Sequence, residues 1–256
     1  MIARPRLRRL AVPLSLVGLW QLTSSTGSLP DRKLTAPATV IATAWRLTAN
    51  GVLPHNLVVS LGRAVLGLAI GATLGVTLGV LSGLSRAGED MLDATVQMLR
   101  TLPFLGLVPL FILWFGIGET PKVAMVSLGV FFPLYLNTFS GIRGVDEGLV
   151  DAARSCGLGR LGLVRHVVLP GALPSVLVGL RYSLGLAWLS LVVVEQVNAD
   201  SGLGYLMNNA REFIQTDVLV LALAVYALLG LATDAMVRFV ERGALAWRRD
   251  AAFAGT

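Results

Sequence analysis

Residues that carry redox, metal and acid-base chemistry are scarce in this sequence of 256 residues. Cys156 is its only cysteine, so an intramolecular disulfide is excluded. The two histidines, His55 and His166, are too far apart in sequence to suggest a metal site or a catalytic dyad. No set of nucleophile, base and metal ligands converges in one stretch, so we expect no catalytic residue, no metal site and no enzyme activity.

A phosphate-binding loop is also missing. Such a loop needs Gly-Lys followed by Ser or Thr, whereas the only lysines, Lys33 and Lys122, follow Arg32 and Pro121. We therefore expect that the chain itself binds no nucleotide cofactor and does not hydrolyse ATP by this chemistry.

Charged residues make up only 14% of the sequence, and hydrophobic residues make up 55%. A soluble domain would carry about a quarter charged residues, so this composition and the mean hydropathy of +0.73 predict an all-α integral membrane protein. Crossing a bilayer takes about 20 apolar residues, and the uncharged runs predict six transmembrane helices. They lie near Leu10–Ser25, Ala64–Ser85, Thr101–Gly118, Val123–Ile142, Pro174–Val194 (across Arg181) and Val218–Thr233.

The first of these runs has an alternative interpretation as a signal peptide, because it follows the basic stretch RPRLRR and contains Pro13. The stretch TSSTGS behind it lacks an A-x-A cleavage pattern, which favours a retained helix. Residues 1–54 are therefore expected to form one transmembrane helix with an external segment, ahead of a five-helix core in residues 55–256.

Lysine and arginine are distributed unevenly between the two sides of this predicted bundle. With the N-terminus in the cytoplasm, fourteen of the 21 fall in cytoplasmic segments and five in external ones. This positive-inside bias predicts that both termini are cytoplasmic. It also accounts for the net charge of +6, so nucleic-acid binding is not expected.

Glycine recurs at every fourth residue of the second predicted span, at Gly67, Gly71, Gly75, Gly79 and Gly83. Small residues at this spacing let helices approach closely. Because four residues advance about 40° beyond one full turn, we expect the row to wind around the helix and to meet several neighbours. The pattern favours tight packing over a helix that slides, and it identifies no substrate.

The segment 143–173, between the fourth and fifth predicted spans, is the most polar long part of the core. Leu149–Cys156 favours a short helix, and Gly157 is a natural stop because glycine takes a positive φ without steric cost. Apolar residues at i, i+3 and i+7 predict one face of a second helix, at Leu161, Val164 and Val168. Pro170 and Pro174 are expected to bend the chain back toward the membrane. An amphipathic helix on anionic lipid is the alternative interpretation.

One motif in this segment has a specific spacing. Asp151-Ala152-Ala153 is followed after three residues by Gly157, and after nine more by Val167-Val168-Leu169-Pro170. The motif resembles the EAA loop of ATP-binding-cassette importer permeases, Glu-Ala-Ala, x3, Gly, x9, Ile-x-Leu-Pro, with Asp in place of Glu and Val in place of Ile. Longer stretches, such as LVVSLGRAVLGLAIGATLGVTLGVLSGLSR and NADSGLGYLMNNAREFIQTD, are similar to the nitrate, sulfonate and taurine branch, and most closely to aliphatic sulfonate permeases.

The resemblance implies a type I importer permease with a MetI-like bundle, acting as a homodimer in the lipid of a bacterial inner membrane. Two cytoplasmic ATP-binding-cassette ATPase subunits would hold ATP and Mg²⁺. A periplasmic or lipid-anchored substrate-binding protein would deliver aliphatic sulfonates, or related oxyanions such as taurine or nitrate.

In that family the 143–173 segment would be the coupling helix, seated in a groove of the ATPase. The resemblance implies that Ala152 and Ala153 permit close docking, and that Gly157 sets the turn. Asp151 would cap the helix or pair with a basic group of the partner, and Pro170 would pass motion to the fifth span. The remaining motif positions are Val167 and Leu169.

Three charged residues within or beside the spans are candidates for a translocation pathway: Arg63, Arg181 and Glu195. Charges in membranes usually face the bundle or a wet cavity, but both arginines lie near span ends, where a long side chain reaches the interface. A structural role is therefore favoured for them. The alternative function is an ion-gradient-driven secondary transporter of a small anion, whose acidic relay would have only Glu195 and Asp234, both peripheral.

The external stretch Glu195–Asp217 is polar and contains two glycines around short apolar positions. By position and resemblance it is interpreted as a gate or as a docking surface for the binding protein. A plain connecting loop is the alternative.

Overall fold

The computed structural model describes residues 4–26, 34–197 and 199–245. Within these ranges the regular structure is helical, and no β-strand occurs there. The helices are α1 (Arg4–Ser25), α2 (Pro37–Ala49), α3 (Val52–Leu84), α4 (Arg86–Leu99), α5 (Phe104–Phe115), α6 (Glu119–Arg143), α7 (Glu147–Ser155), α8 (Arg160–Leu163), α9 (Leu169–Val197), α10 (Leu203–Glu212) and α11 (Thr216–Ala244). A π-helical turn, Val164–Val168, joins α8 to α9.

Four helices in the described ranges are long and apolar enough to cross a membrane: α3, α6, α11 and the continuous run Arg160–Val197 made by α8, the π-turn and α9. The pair α4 and α5 passes the same test as one span that is bent by 101°. The predicted all-helical membrane bundle is confirmed, with one broken crossing. Helix α1, predicted as a further span, extends over 22 residues but is less apolar than these four.

Two span boundaries differ from the prediction. Helix α3 begins at Val52 rather than at Ala64, because Arg63, which bounds the uncharged run in the sequence, lies inside the helix and is paired with Glu119. The third span is not straight over 101–118, because α4 ends at Leu99 and α5 starts only after Pro103. A proline disfavours helical backbone in the residue before it, which explains the break between the two helices.

The five glycines of α3 all face one neighbour, α6, so the predicted winding past several helices is wrong. A Cβ at Gly67 would lie 2.5 Å from Val126 Cγ1, and a Cβ at Gly71 would lie 2.3 Å from the Ser127 carbonyl oxygen. The other three glycines face residues 131–142 in the same manner. The i, i+4 rows of a helix are inclined by about 26° to its axis, so a partner that crosses at an angle can follow the row.

Helix α6 also packs closely against α9. A Cβ at Gly129 would lie 2.4 Å from Ser190 Oγ, and a Cβ at Gly179 of α9 would lie 2.7 Å from Asn137 Cβ. The most buried side chains of α6 include Met125, Val130 and Tyr135, each 0% exposed. Small residues on both contact faces therefore make α6 the central helix of this part of the molecule.

The residues that meet along α3 and α6 show that the two helices run in the same direction. Gly67 faces Val126 near the start of the contact, and Gly83 faces Ile142 near its end. The chain between α3 and α6 must therefore return across the full length of this contact. Only the bent pair α4 and α5 is available for that return, which supports its assignment as one broken crossing.

Contacts group the chain into two units, Met1–Ser60 with Glu195–Leu228, and Leu61–Val194 with Leu229–Thr256. In the described part of the first unit, α2, the start of α3, α10 and the start of α11 share an apolar cluster made of Leu206, Ala210 and Val218 with Leu47, Leu53 and Leu219. The Thr43 hydroxyl donates to Asp217 at 2.6 Å and ties α2 to α11. The division of the chain at residue 54 stays a prediction.

Pro170 and Pro174 do not interrupt the helix, and their expected bend toward the membrane stays a prediction. The run Arg160–Val197 continues for 38 residues. In the π-turn the Leu169 N–H donates five residues back, to the Val164 carbonyl. This wider turn lies directly before Pro170, which has no N–H to donate, and it lets the helix continue without the usual bond.

Candidate functional site

The 143–173 segment begins with a capped helix. The carboxylate of Asp146 accepts hydrogen bonds from the N–H groups of Gly148 at 2.7 Å and Leu149 at 3.4 Å, so Asp146 is the N-cap of α7. Asp151 lies inside the helix and pairs with Arg154 at 3.0 Å, so it does not cap α7. The sequence interpretation missed Asp146, although Asp directly before a short helix is a common capping signal.

The predicted stop at Gly157 is confirmed. Gly157 has a φ of +83°, its N–H donates to the Arg154 carbonyl at 2.9 Å, and the Leu158 N–H donates to the Ala153 carbonyl at 3.2 Å. This pair of bonds is a Schellman motif, in which a left-handed residue closes the end of a helix. No atom lies within 4 Å of the position of a Gly157 Cβ, so the requirement for glycine is conformational rather than steric.

Beyond the turn, the buried face differs partly from the one predicted. Val168 is buried as expected, but Leu161 is 82% exposed and Leu163 is buried in its place. Leu163 and Val168 pack with Ile142 of α6 and Ala172 of α9, and Ala153 of α7 packs against this cluster. One small core therefore connects α7, the π-turn, α6 and α9.

The opposite side of the segment is exposed and combines apolar with basic groups. Leu149 is 62% exposed, Leu169 is 41% exposed, and the side chain of Arg154 is 63% exposed. Ala152 is also exposed and adds no bulk beside them. The segment thus presents a low apolar surface with the exposed ion pair of Arg154 and Asp151, on a base that is fixed to the bundle.

Arg63 is itself buried, and it pairs at the start of α6 with Glu119, whose side chain is 60% exposed. Arg63 is 3% exposed, and its Nε and Nη2 atoms each donate to the Glu119 carboxylate at 2.6 Å. Lys122 Nζ lies 2.9 Å from the same carboxylate and is also 3% exposed. Glu119 therefore bridges two buried cations of α3 and α6. Sequence reasoning missed this partner, which is remote from Arg63 along the chain.

Arg181 joins α9 to α11. Its Nε atom lies 3.3 Å from Asp234 Oδ1, and its Nη2 atom lies 2.8 Å from Glu241 Oε2. Asp234 also pairs with Arg238 in the next turn of α11. The side chain of Arg181 is 42% exposed, so this is a partly solvated ion network.

Glu195 is not peripheral, contrary to the prediction. It lies in the last turn of α9, is 1% exposed, and accepts hydrogen bonds from the Ser60 hydroxyl and from the Gly204 N–H at 2.8 Å. The second acid of the proposed relay, Asp234, has a side chain that is 35% exposed. The structure therefore brings Glu195 together with α3 and α10 and leaves Asp234 among the exposed pairs of α11.

Two large cavities adjoin α6 and are lined mainly by apolar side chains. One of about 700 Å³ is lined by residues of α3, α5 and α6, among them Leu74, Phe111 and Phe131. The other, of about 650 Å³, adds Arg100 and Asn137 to leucines and phenylalanines. None of Arg63, Arg181 and Glu195 lines either of these two cavities, so the three candidate pathway residues do not share a site there.

Comparison with known proteins gives a family match over most of the chain. Residues 71–245 match the model of the binding-protein-dependent transport system inner membrane component. A protein of Escherichia coli (strain K12) named for aliphatic sulfonates transport as a permease is 53% identical over 236 residues, which cover 92% of this chain and 90% of that protein.

A protein of Bacillus subtilis (strain 168) with the same description is 43% identical over 242 residues, covering 94% of this chain and 88% of its own length. The taurine transport system permease protein of E. coli is 35% identical over 198 residues, covering 77% and 72%.

Solved structures share the fold at lower identity. An amino acid ABC transporter crystallised with histidines has a TM-score of 0.65 at 19% identity, covering 78% of this chain and 97% of that one. An inward-facing methionine ABC transporter has a TM-score of 0.57 at 23% identity, covering 71% and 92%.

Proposed function

Because this chain belongs to the family of binding-protein-dependent transport system inner membrane components, we propose that it forms the membrane pathway of an ATP-driven importer of aliphatic sulfonates. It is the permease subunit of an ATP-binding-cassette importer, and partner subunits hydrolyse the ATP. The sulfonate assignment rests on the names of its relatives, one of which is named for taurine transport instead.

The observation that supports the coupling role is that the 143–173 segment is anchored on one side and exposed on the other. Its inner side is anchored to α6 and α9 through Leu163 and Val168, and its outer side exposes Ala152, Leu149 and Arg154. A surface of this kind suits insertion into a groove of a partner, where small residues allow close approach and the exposed pair of Arg154 and Asp151 can meet polar groups of the partner. We assign that partner as the ATPase subunit, which would hold ATP and Mg²⁺.

Transmission follows from how the segment is joined to the bundle. A push on α7 would reach α9 through the Schellman turn at Gly157 and through the packing of Ala153 on the cluster around Val168. From Arg160 onward the chain is one continuous helix, through Val167, Leu169 and Pro170. Since a helix rises 1.5 Å per residue, these 38 residues extend for about 57 Å, and they would tilt as one body when the ATPase subunits close.

The remaining assembly follows from the family. We propose a homodimer in the lipid bilayer, two ATPase subunits on the cytoplasmic side and a binding protein on the other. The positive-inside distribution of lysine and arginine supports cytoplasmic termini; residues 1–3 and 246–256 lie outside the described residues. In this orientation the 143–173 segment faces the ATPase subunits, and α10 faces the binding protein.

Arg63 and Arg181 are proposed to hold helices together rather than to contact the cargo. Arg63 is buried against Glu119, and Arg181 is engaged by Asp234 and Glu241. A buried arginine that already forms a two-point pair with a carboxylate would have to give up that pair to bind a sulfonate, which is costly. Transport of the anion therefore does not require either guanidinium group to change partner.

The test is purification of the permease from its own membranes in mild detergent, with identification of the subunits that remain bound. We expect an ATPase subunit with the wild type and little or none with Gly157→Trp, because a residue with a side chain is strained at the positive φ of the turn that presents α7. Gly62→Trp is the control, since Gly62 is exposed and a Cβ there meets no atom within 4 Å; it should keep the ATPase. Dimer recovery should be unchanged in both variants.

Two results would contradict the proposal. Retention of the ATPase and of full uptake by Gly157→Trp would remove the coupling role of the segment. Absence of any ATPase from the wild-type preparation would favour a transporter driven by an ion gradient, and the acidic residues would then have to be examined as its relay.

A further inference from the structure

The carboxylate of Glu195 is the centre of a buried hydrogen-bond cluster at the end of α9. The Ser60 hydroxyl lies 2.8 and 2.9 Å from its two oxygens, the Gly204 N–H donates to it at 2.8 Å, and the Tyr226 hydroxyl donates at 3.3 Å. A buried carboxylate is costly unless its oxygens accept several hydrogen bonds. This cluster supplies such bonds from three different parts of the chain.

The same cluster supplies the caps of α10. The first N–H groups of a helix have no partner within that helix, and the N-cap residue Gly202 has no side chain to offer. Instead, the Gly202 N–H donates to Asn56 Oδ1 at 2.7 Å, the Leu203 N–H donates to Ser60 Oγ at 2.8 Å, and the Gly204 N–H donates to Glu195. The three side chains that accept these bonds belong to α3 and α9.

The geometry at Gly202 leaves no room for a side chain beside the Glu195 carboxylate. Gly202 has a φ of +116°, and a Cβ on it would lie 2.4 Å from Glu195 Oε1. The Glu195 carboxylate therefore occupies the space that any larger residue at 202 would need. A negative charge at the start of α10 also interacts favourably with the helix dipole.

We propose that Glu195 is a positioning residue by which α9 sets the place of α10. The inference rests on the proposed function, because it takes α9 as the helix that responds to the ATPase subunits. Glu195 stands at the opposite end of the 38-residue helix from the 143–173 segment. A displacement of that helix end moves the carboxylate, and α10 must follow because its N-terminal N–H groups are bound there and to Ser60.

The experiment uses the complete transporter, permease with ATPase subunits and binding protein, in lipid vesicles. Glu195→Gln keeps the shape of the side chain, but it replaces one acceptor oxygen by an NH₂ group that would face a donor. We expect ATP-driven uptake and the stimulation of ATP hydrolysis by liganded binding protein to fall about tenfold or more, the size expected for losing a hydrogen bond to a buried charge. Basal ATP hydrolysis should remain at the wild-type level.

A second readout follows α10 directly. Arg211 is exposed near the end of α10 and is a site for trypsin. If Glu195 holds α10, trypsin should cut after Arg211 faster in Glu195→Gln than in the wild type. The control is Asp200→Asn, an exposed carboxylate of the same external stretch, which should leave uptake, stimulation and cleavage unchanged. A merely structural role would lower assembly and basal hydrolysis together.

Three outcomes would overturn the proposal. They are unchanged uptake and cleavage in Glu195→Gln, loss of basal hydrolysis in step with uptake, and an equal effect of Asp200→Asn. If Glu195→Gln does not assemble, Ser60→Ala decides: retained basal hydrolysis with lost stimulation supports the proposal, and failure to assemble contradicts it. If the wild type lacks an ATPase subunit, the proposed function fails, while the cleavage rate at Arg211 still decides whether Glu195 holds α10.

Discussion

The closest contact between α3 and α6 predicts whether replacing Gly71 by alanine stabilises or destabilises the protein. Gly71→Ala would place a methyl group 2.3 Å from the Ser127 carbonyl oxygen and 2.8 Å from Val130 Cβ. The oxygen belongs to the backbone of α6, so it cannot rotate out of the way as a flexible side chain would. Relief requires the two helices to move apart by about 1 Å, to reach an ordinary contact distance.

The magnitude follows from opposing effects. Alanine is better than glycine inside a helix by about 1 kcal/mol, which favours the variant. Overpacking costs about 1–3 kcal/mol or more, and a gap of 0.5–1 Å forfeits about a quarter to a half of each dispersion contact. Along a contact that includes Gly67, Gly75, Gly79 and Gly83, the loss is repeated several times. We therefore expect a net destabilisation of about 1–2 kcal/mol, or about 2–8 °C in melting temperature for a chain of this size.

Thermal unfolding of the purified permease in one detergent measures this effect. The matched control is Gly62→Ala in the same helix, where no atom lies within 4 Å of the new methyl group. That variant should melt at or above the wild-type temperature. If Gly71→Ala melts as high as Gly62→Ala, the contact between α3 and α6 is not as close as the structure has it, and the explanation of the glycine row is wrong.

Three further variants test other parts of the molecule. Gly157→Ala should lower the free energy of unfolding by about 1–2 kcal/mol, because a left-handed backbone is strained for alanine. The Leu158 amide should then exchange its hydrogen with solvent about tenfold faster. Gly159→Ala, at a φ of −69°, should have no such effect. Arg63→Lys replaces the two-point contact with Glu119 by one, so it should lower stability by about 1–2 kcal/mol without altering the competition between sulfonate and taurine for uptake; a change in that competition would place Arg63 in the pathway. Arg46→Gln removes the pair with Asp217 at 3.4 Å and leaves the Thr43 bond to Asp217 in place. The loss of at most about 1 kcal/mol should vanish at high salt, and a loss that persists there would show that the pair is more than a surface interaction.

Local signals in the sequence predicted the local structure of the 143–173 segment. A glycine after a short helical stretch predicted the positive φ of Gly157, because this requirement depends on the residue and its neighbours only. The cap at Asp146 could have been found by the same reasoning. Hydropathy predicted the long spans, because the bilayer imposes a minimum apolar length.

Features that depend on distant partners could not be predicted. Glu195 is next to the end of an apolar run, and nothing in that run shows that Ser60 and Gly204 bury its carboxylate. The glycine row predicts close approach, but whether one helix or several approach depends on the crossing angle. Likewise, Pro170 by itself suggests a break in the helix, and the π-turn before it explains how the helix continues.

The parallel pairing of α3 and α6 has a consequence for biosynthesis. The glycine face of α3 is complete when Leu84 has been made, but its partner is complete only at Arg143. At 5–20 residues per second, the intervening chain takes roughly 3–12 s to synthesise. During this interval α3 is in the membrane without the helix that fills its face, and lipid or the insertion machinery must cover it. A newly made chain that stalls before α6 therefore carries an open glycine groove, a feature by which a membrane protease could distinguish an unfinished permease from a finished one.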